Sequence, residues 1–88
     1  MAWTIELSER AVKALDKIDK ATAKRIVSYL QQLTDLPHPT DRGKALTGTL
    51  AGLWRYRVGD WRIICHIDHE QVTIVALDID HRSRIYRH

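Results

Sequence analysis

The sequence has little of what crosslinks a chain or anchors it in a membrane. Its 88 residues include one cysteine, Cys65, and no apolar run approaches the ~20 residues of a transmembrane helix. One cysteine excludes an internal disulfide and fits a reducing compartment. The N-terminal residues alternate between apolar and polar side chains and include Glu6, unlike a secretory signal peptide. We therefore expect a cytoplasmic protein without a membrane partner, folded as a single domain over residues 1–88.

The motifs of several enzyme classes are also missing. The sequence contains neither a G-x-x-x-x-G-K-[ST] phosphate loop nor a G-x-S-x-G nucleophile elbow. Its five histidines are scattered, without a cysteine pair or a carboxylate cluster, so neither a zinc nor a magnesium site is expected. Ser83 lies near His81, but no acidic residue is placed to orient the pair for nucleophilic catalysis. We expect no metal and no other cofactor.

Positive charge is in mild excess and is unevenly distributed. The formal net charge is +3, every lysine lies at or before Lys44, and the residues after it use only arginine as a cation. Arginine presents planar, forked donors that suit phosphate. The earlier lysines belong to the outer face of the predicted helices, where they are either solvated surface or auxiliary nucleic-acid contacts. These residues are Lys13, Lys17, Lys20 and Lys24.

The most informative segment is L-W-R-Y-R-V-G-D-W-R-I-I-C-H, residues 53–66. Gly59-Asp60 predicts a two-residue turn between antiparallel strands, which places Val58 opposite Trp61 and Arg57 opposite Arg62. Because side chains alternate, one face carries Trp54, Tyr56, Val58, Trp61, Ile63 and Cys65. The other face, here called the arginine face, carries Arg55, Arg57 and Arg62 with Leu53, Ile64 and His66.

Like charges opposite each other destabilise a sheet by roughly 0.2–1 kcal/mol per pair. A hairpin that sets Arg57 against Arg62, with Arg55 beside them, therefore predicts a polyanionic partner. The alternative is that these arginines are ordinary exposed strand residues. The tryptophans and Cys65, in contrast, alternate into the apolar face and are expected in the core.

The remaining patterns complete a βααβββ order. Residues 3–7 alternate as a strand, Ser8 and Asp19 are helix N-caps, and the second helix stops near Pro37. Residues 37–52 form a linker in which Lys44–Leu46 is either a helical turn or the start of a strand. A turn at His69-Glu70 leads to a strand over residues 71–79. If this turn also has two central residues, Val72, Ile74 and Ala76 lie on the apolar face, and Thr73, Val75, Leu77 and Ile79 on the arginine face.

The predicted fold class is α+β. An N-terminal strand and a helical hairpin pack on one face of a small, antiparallel-rich twisted sheet, and the arginine face stays partly open. The chain ends in a basic tail that contains His81, Arg82, Arg84 and Tyr86.

This set of residues suits cleavage of RNA by its own 2′-hydroxyl, a reaction without a metal. Arg62 and Arg82 would stabilise the charge of the pentacoordinate phosphorane. His81, with an ordinary pKa near ~6.5, can exchange protons at neutral pH, and Tyr86 can stack on a splayed base. The alternatives stay open: His81 as a structural histidine, and Tyr86 as an anchor that ties the tail to the sheet.

The same residues carry a resemblance to a known family. The opening W-T-I-E-L-S-E-R-A-V-K-A-L, the middle L-T-G-T-L-A-G-L-W-R-Y-R-V-G-D-W-R-I-I-C-H-I and the tail H-R-S-R-I-Y-R resemble the RelE/ParE superfamily of bacterial and archaeal toxins, specifically its RelE branch. The resemblance covers nearly the whole chain and implies a RelE-like fold. It also implies the toxin of a type II toxin–antitoxin system, acting as a ribosome-dependent mRNA endonuclease that inhibits translation.

The resemblance assigns roles to particular residues. It implies that Arg62 stabilises the transition state, that Arg82 stabilises phosphate or protonates the leaving group, and that Tyr86 stacks on the substrate. Arg55 and Arg57 stand where the best-known members have lysines, one of them a proposed base. Either His81 therefore transfers protons, or the arginines act only electrostatically. The RNA-binding candidates are Lys44, Arg55, Arg57 and Arg84.

The implied partners are a cognate RelB-like antitoxin, mRNA and the 70S ribosome decoding site. An acidic amphipathic helix or an added strand would fit the cationic face. Two alternatives compete with the ribonuclease. One is a ParE-like gyrase inhibitor without hydrolytic activity, whose relatives generally lack the tail residues. The other is a non-catalytic RNA-binding module.

Overall fold

The structure is a computed structural model that describes residues 2–84 as two helices packed against a five-stranded mixed sheet. The elements are β1 Thr4–Leu7, α1 Glu9–Lys17, α2 Lys20–Leu33, β2 Lys44–Ala45, β3 Trp54–Val58, β4 Trp61–Asp68 and β5 Thr73–His81. The strand order is β1-β5-β4-β3-β2, in which only the β1–β5 pair is parallel. The predicted α+β class is confirmed, and Lys44–Ala45 is a short strand rather than a helical turn.

Both predicted N-caps close the first turn of their helix. The Ser8 hydroxyl accepts the Ala11 N–H at 3.0 Å, and the Asp19 carboxylate accepts the Thr22 N–H at 2.9 Å. The hydrogen bonds from Thr22 lower the pKa of Asp19. Ser8 also ties α1 to the sheet, because its hydroxyl donates to the Leu77 carbonyl at 2.7 Å. Within residues 2–84, neither helix has the length and hydrophobicity that crossing a bilayer requires.

The core lies between the helices and the apolar face of the sheet. The helices contribute Ala11, Ile26, Leu30 and Leu33, which pack against sheet residues that include Tyr56, Ile63, Cys65, Ile74 and Ala76. Cys65 is fully buried, as predicted for a core thiol. Burial raises the pKa of the Cys65 thiol from its ordinary value of 9.0 to about 12. This cysteine is therefore a packing residue in the folded protein.

The predicted two-residue turn at His69-Glu70 is wrong. Asp68 pairs with Thr73, so four residues, His69–Val72, connect β4 to β5. The cause is the Asp68 side chain, which accepts the N–H groups of Glu70 and Gln71 at 3.1 and 3.0 Å and stabilises a longer turn. A shift of two residues preserves the faces, so Ile74 and Ala76 still share the apolar face.

The predicted placement of Ile79 on the arginine face is also wrong. The register shifts between Ile64 and Cys65, because Leu77 is an extra residue in β5 opposite them. Ile79 consequently lies opposite Ile63 and is 2% exposed in the core. The shift places Asp78 opposite Ile64 and Asp80 opposite Arg62. Two carboxylates therefore stand where an apolar side chain was expected, and Asp78 Oδ1 lies 3.3 Å from Arg10 Nε of α1.

Aromatic donors fix the linker between α2 and β2. The Trp3 indole donates to the Pro37 carbonyl at 3.2 Å, the Tyr56 hydroxyl to the Pro39 carbonyl at 2.8 Å, and the Trp54 indole to the Arg42 carbonyl at 2.7 Å. Gly43 follows with φ +77°, and a Cβ there would stand 2.5 Å from the Arg55 carbonyl oxygen. These contacts bring β2 against β3.

Tyr56→Phe should lower the free energy of unfolding by about 1–3 kcal/mol, because it leaves the Pro39 carbonyl without its buried donor. Tyr29→Phe is the matched control, since it removes the same atom from a half-buried ring and should change stability by less than about 0.5 kcal/mol. Urea unfolding followed by fluorescence measures both. Equal destabilisation by the two variants would contradict a structural role for the Tyr56 hydroxyl.

Stability should also fall at alkaline pH through Cys65. The folded thiol keeps its proton above pH 9.0, where the unfolded chain loses it, until the pKa of about 12 is reached. The free energy of unfolding should therefore decrease across this window, with a Cys65 slope of at most about 1.4 kcal/mol per pH unit. Cys65→Ala should remove only part of this slope. The rest should remain, because burial also raises the pKa of Tyr56. Identical slopes in the two proteins would contradict the assignment.

Candidate functional site

The arginine face is built by the β3–β4 hairpin. Gly59, with φ +59°, allows the two-residue turn, and the register sets Arg57 opposite Arg62 and Arg55 opposite Ile64, as predicted. Arg57 is exposed, whereas Arg55 and Arg62 are half-buried. Arg62 donates through Nη1 to the carbonyls of Gly59 and Trp61 at 3.0 and 3.1 Å. These bonds hold the Arg62 guanidinium beside the turn, although Arg57 faces it.

Lys44 joins the same face from the neighbouring strand. β2 pairs with β3 so that Lys44 lies directly opposite Arg55. The linker contacts of Trp54 and Tyr56 hold β2 in this position. Of the predicted RNA-binding residues, the sheet therefore assembles Lys44, Arg55 and Arg57 on one surface with Arg62.

Acidic residues interleave with the arginines where the hairpin turn meets the end of β5. Here Arg82 donates its backbone N–H to the Asp60 carbonyl at 2.7 Å, and its Nε lies 3.7 Å from Asp60 Oδ1. Arg84 Nε lies 3.2 Å from Asp80 Oδ1. We call this cluster, which consists of Asp60, Arg62, Asp80, His81, Arg82 and Arg84, the turn end of the sheet.

The ion pairs of the turn end are too exposed to stabilise the fold strongly. The Arg82 and Asp60 side chains are 64% and 63% exposed, so their pair contributes no more than ~1 kcal/mol. Sequence reasoning missed both carboxylates. Their pairing depends on the Leu77 bulge and on the turn after His81, where Arg84 N–H donates to the His81 carbonyl at 2.9 Å. Alternation alone carries no signal for either feature.

His81 lies at the turn end but on the opposite face from Arg62. It pairs with Trp61, and the two rings stand 5.7 Å apart at 89°. Trp61 packs against the core, so the register places the His81 side chain on the apolar face, opposite the face of Arg62. The sequence pattern missed this because the Leu77 bulge moves the end of β5 by one residue.

The His81 ring is oriented by the tail. Its Nδ1 lies 2.9 Å from Ser83 Oγ and accepts the Ser83 N–H at 3.3 Å, so the neutral ring carries its proton on Nε2. Among the hydrogen bonds between described residues, no carboxylate bonds to this ring, which leaves the Ser83–His81 pair without the third group of a nucleophilic triad. Tyr86, the remaining predicted catalytic residue, lies outside the described residues.

Comparison with known proteins agrees with this fold. The family model "ParE toxin of type II toxin-antitoxin system, parDE" matches residues 5–86. The chain is 34% identical over 88 residues to Toxin RelG of Mycobacterium tuberculosis, covering 99% of each chain. The M. tuberculosis toxin–antitoxin complex RelBE2 contains a chain with a TM-score of 0.84 and 30% identity, covering 93% of this chain and 100% of that chain.

More distant structures share the architecture. The archaeal RelE–RelB complex from Pyrococcus horikoshii OT3 gives a TM-score of 0.74 at 28% identity, with 96% of this chain and 99% of that chain covered. A mutant of the E. coli toxin RelE in the free state gives 0.76 at 16% identity, with 97% and 88% covered, which is a likeness of fold. Two helices on a five-stranded mixed sheet, a family match over most of the chain and a full-length relative at 34% identity agree. The chain therefore belongs to the ParE toxin family of type II toxin–antitoxin systems, within the RelE/ParE superfamily.

Proposed function

We propose that this toxin is a metal-independent endoribonuclease that cuts mRNA in the ribosomal decoding site and so inhibits translation. The similarity to Toxin RelG and to the RelE chains of solved complexes supports this activity. The observation that carries the proposal is the turn end of the sheet. There Asp80 lies opposite Arg62 and pairs with Arg84, while Arg82 pairs with Asp60 of the hairpin turn. The same strand pair also holds His81.

The reaction needs charge stabilisation more than a protein nucleophile. The 2′-hydroxyl of the RNA loses its proton, and its oxygen attacks the adjacent phosphorus. The 5′-oxygen then leaves and takes up a proton. The products are a 2′,3′-cyclic phosphate and a 5′-hydroxyl, so the reaction consumes no water. Arg62 and Arg82 stabilise the phosphorane, whose extra negative charge develops between ground and transition state.

The other cations bind the RNA on either side of the reacting phosphate. Lys44, Arg55 and Arg57 extend the cationic surface along β2 and β3, and Arg84 extends it along the tail. Tyr86 stacks on a base of the substrate. The ion pairs of Arg82 and Arg84 are weak because they are exposed, so an RNA phosphate can replace Asp60 or Asp80 as the partner at little energetic cost.

His81 serves as the proton carrier in this proposal, which places a requirement on the path of the RNA. The Trp61–His81 pair is the last pair of β4 and β5, so the two faces of the sheet meet at a rim beside it. RNA that crosses this rim contacts Arg62 on one face and His81 Nε2 on the other. The site therefore straddles the turn end instead of lying on the arginine face alone.

A RelB-like antitoxin is the proposed partner of the toxin outside the ribosome. The structural neighbours include RelE chains in complex with RelB from M. tuberculosis, P. horikoshii and E. coli. The arginine face of this chain supplies the recognition chemistry, since an acidic segment laid over Arg57 and Arg62 would relieve their mutual repulsion. Such a segment would also exclude RNA from the turn end.

The charge-stabilising roles predict that Arg62→Ala and Arg82→Ala each reduce mRNA cleavage on ribosomes by about 10²–10³-fold in kcat. Lys24→Ala is the control, because Lys24 is an exposed cation on α2 and lies outside the turn end. Cleavage of an end-labelled message in a purified translation system measures all three. Full activity in both turn-end variants would contradict the proposed site.

The ParE name of the family model raises the gyrase alternative specifically. Expression of the toxin in a bacterial host separates the two functions. We expect translation to stop while the chromosome stays intact. DNA breaks and an SOS response, with translation unaffected, would establish the gyrase inhibitor instead.

His81→Gln tests the proton carrier through the pH profile of cleavage. If His81 carries the proton, His81→Gln should lose about 10²–10⁴-fold in rate together with the inflection that an acid–base residue gives to the wild-type pH profile. A purely structural His81 would lower the rate at all pH values and leave the shape of the profile unchanged. Retention of the inflection in folded His81→Gln would therefore contradict the assignment.

A further inference from the structure

A groove on the arginine face stands apart from the turn end. It has a volume of about 560 Å³ and is formed by the loop that joins β2 to β3. The lining includes Lys44, Leu46, Thr47, Thr49, Leu50 and Arg55. Pockets of about 300–1,000 Å³ with a partly apolar lining and a few polar groups are typical of small-ligand sites. We propose that this groove is a nucleotide subsite that seats one base of the bound message a few nucleotides from the scissile phosphate, an inference that rests on the proposed ribonuclease function.

The chemistry of the lining fits one nucleotide. Leu46 and Leu50 are half-buried and offer apolar contact to the face of a base, while the exposed hydroxyls of Thr47 and Thr49 offer hydrogen bonds to its edge. Lys44 contributes a cation for the attached phosphate, and none of the described residues that line the groove is acidic. A base with an apolar face, a polar edge and an anionic backbone matches this arrangement.

The shape of the loop leaves room for the ligand. Gly48 adopts φ +66°, and no atom lies within 4 Å of the position that a Cβ would occupy. The loop is held by backbone hydrogen bonds: Leu46 N–H donates to Leu53, Leu50 N–H to Thr47 and Leu53 N–H to Leu50, at 3.0, 3.3 and 3.1 Å. A preformed loop loses little conformational entropy when it binds.

The register places the groove on the arginine face, at the opposite end of β3 from the hairpin turn. Lys44 and Arg55 form one cross-strand pair, and Arg57 and Arg62 form the next pair on the same face of β3. Same-face residues two apart on a strand are separated by about 7 Å. This is comparable to the step between neighbouring phosphates in an extended single strand. Arg62 lies one strand beyond Arg57, and its guanidinium is held beside the hairpin turn. A message that runs from Arg62 past Arg57 and Arg55 therefore brings a nucleotide beyond the adjacent one to the groove.

The proposal makes the loop a determinant of base preference. Thr49→Leu should fill the groove with a side chain that cannot hydrogen-bond to a base. Thr4→Leu is the matched control, because Thr4 is exposed on β1 at the other edge of the sheet. Mapping of all cut sites in one message should show that Thr49→Leu loses base preference at one fixed position a few nucleotides from the cut. Its kcat/KM should fall about tenfold, mainly through KM. A cut pattern and rate equal to those of Thr4→Leu would overturn the subsite.

A binding measurement separates failure of the subsite from failure of the ribonuclease. Trinucleotides with 2′-deoxy sugars cannot be cleaved by 2′-hydroxyl attack, so they can be titrated into the ¹⁵N-labelled wild-type chain. The subsite predicts shifts of the Thr47, Gly48 and Thr49 amide signals that differ between bases. If these signals stay unmoved, the subsite is overturned, whether or not the protein cuts mRNA. If they move while no message is cut, the subsite stands and the ribonuclease proposal falls.

Discussion

The two-residue turn at Gly59-Asp60 is the constraint from which the functional surface follows. Gly59 can adopt the positive φ that the turn requires, and the turn fixes which residues of β3 and β4 face each other. A slip of one residue would move Arg57 and Arg62 to the helix side and Tyr56 and Ile63 to solvent. The burial of the apolar face therefore enforces the clustering of arginine on the other face. The turn also receives the end of β5, through the hydrogen bond from Arg82 to Asp60.

This arrangement concentrates cations without stabilising the free protein. Arg57 opposes Arg62, and the pairs that Arg82 and Arg84 form with Asp60 and Asp80 are too exposed to contribute much. The stability comes instead from the aromatic and aliphatic core and from the carbonyls that Trp3, Trp54 and Tyr56 hold in the linker. Binding of a polyanion to such a cationic surface is electrostatically favourable. RNA and an acidic antitoxin segment are both polyanions, which accounts for one face serving both proposed partners.

Much of this could be predicted from the sequence because strong local signals set it. Gly59-Asp60 determined the hairpin register, Ser8 and Asp19 marked the helix starts, and alternation placed Cys65 in the core. The errors arose at a β-bulge, where one extra residue changes the register and no sequence pattern indicates it. The Leu77 bulge buried Ile79, moved Asp80 beside Arg62 and put His81 on the Trp61 face. The groove of the β2–β3 loop was not predicted, because its shape depends on contacts between segments distant in sequence.

In the proposed reaction the 2′-hydroxyl of the message is the nucleophile, and the toxin supplies positioned charge. A ribosome-bound message with a single 2′-deoxy substitution at one established cut site tests both statements. We predict that cleavage disappears at that position and continues at the unmodified sites, where the fragments carry 2′,3′-cyclic phosphate and 5′-hydroxyl ends. Cleavage that persists at the deoxy position would show that another nucleophile performs the reaction, and it would contradict this account.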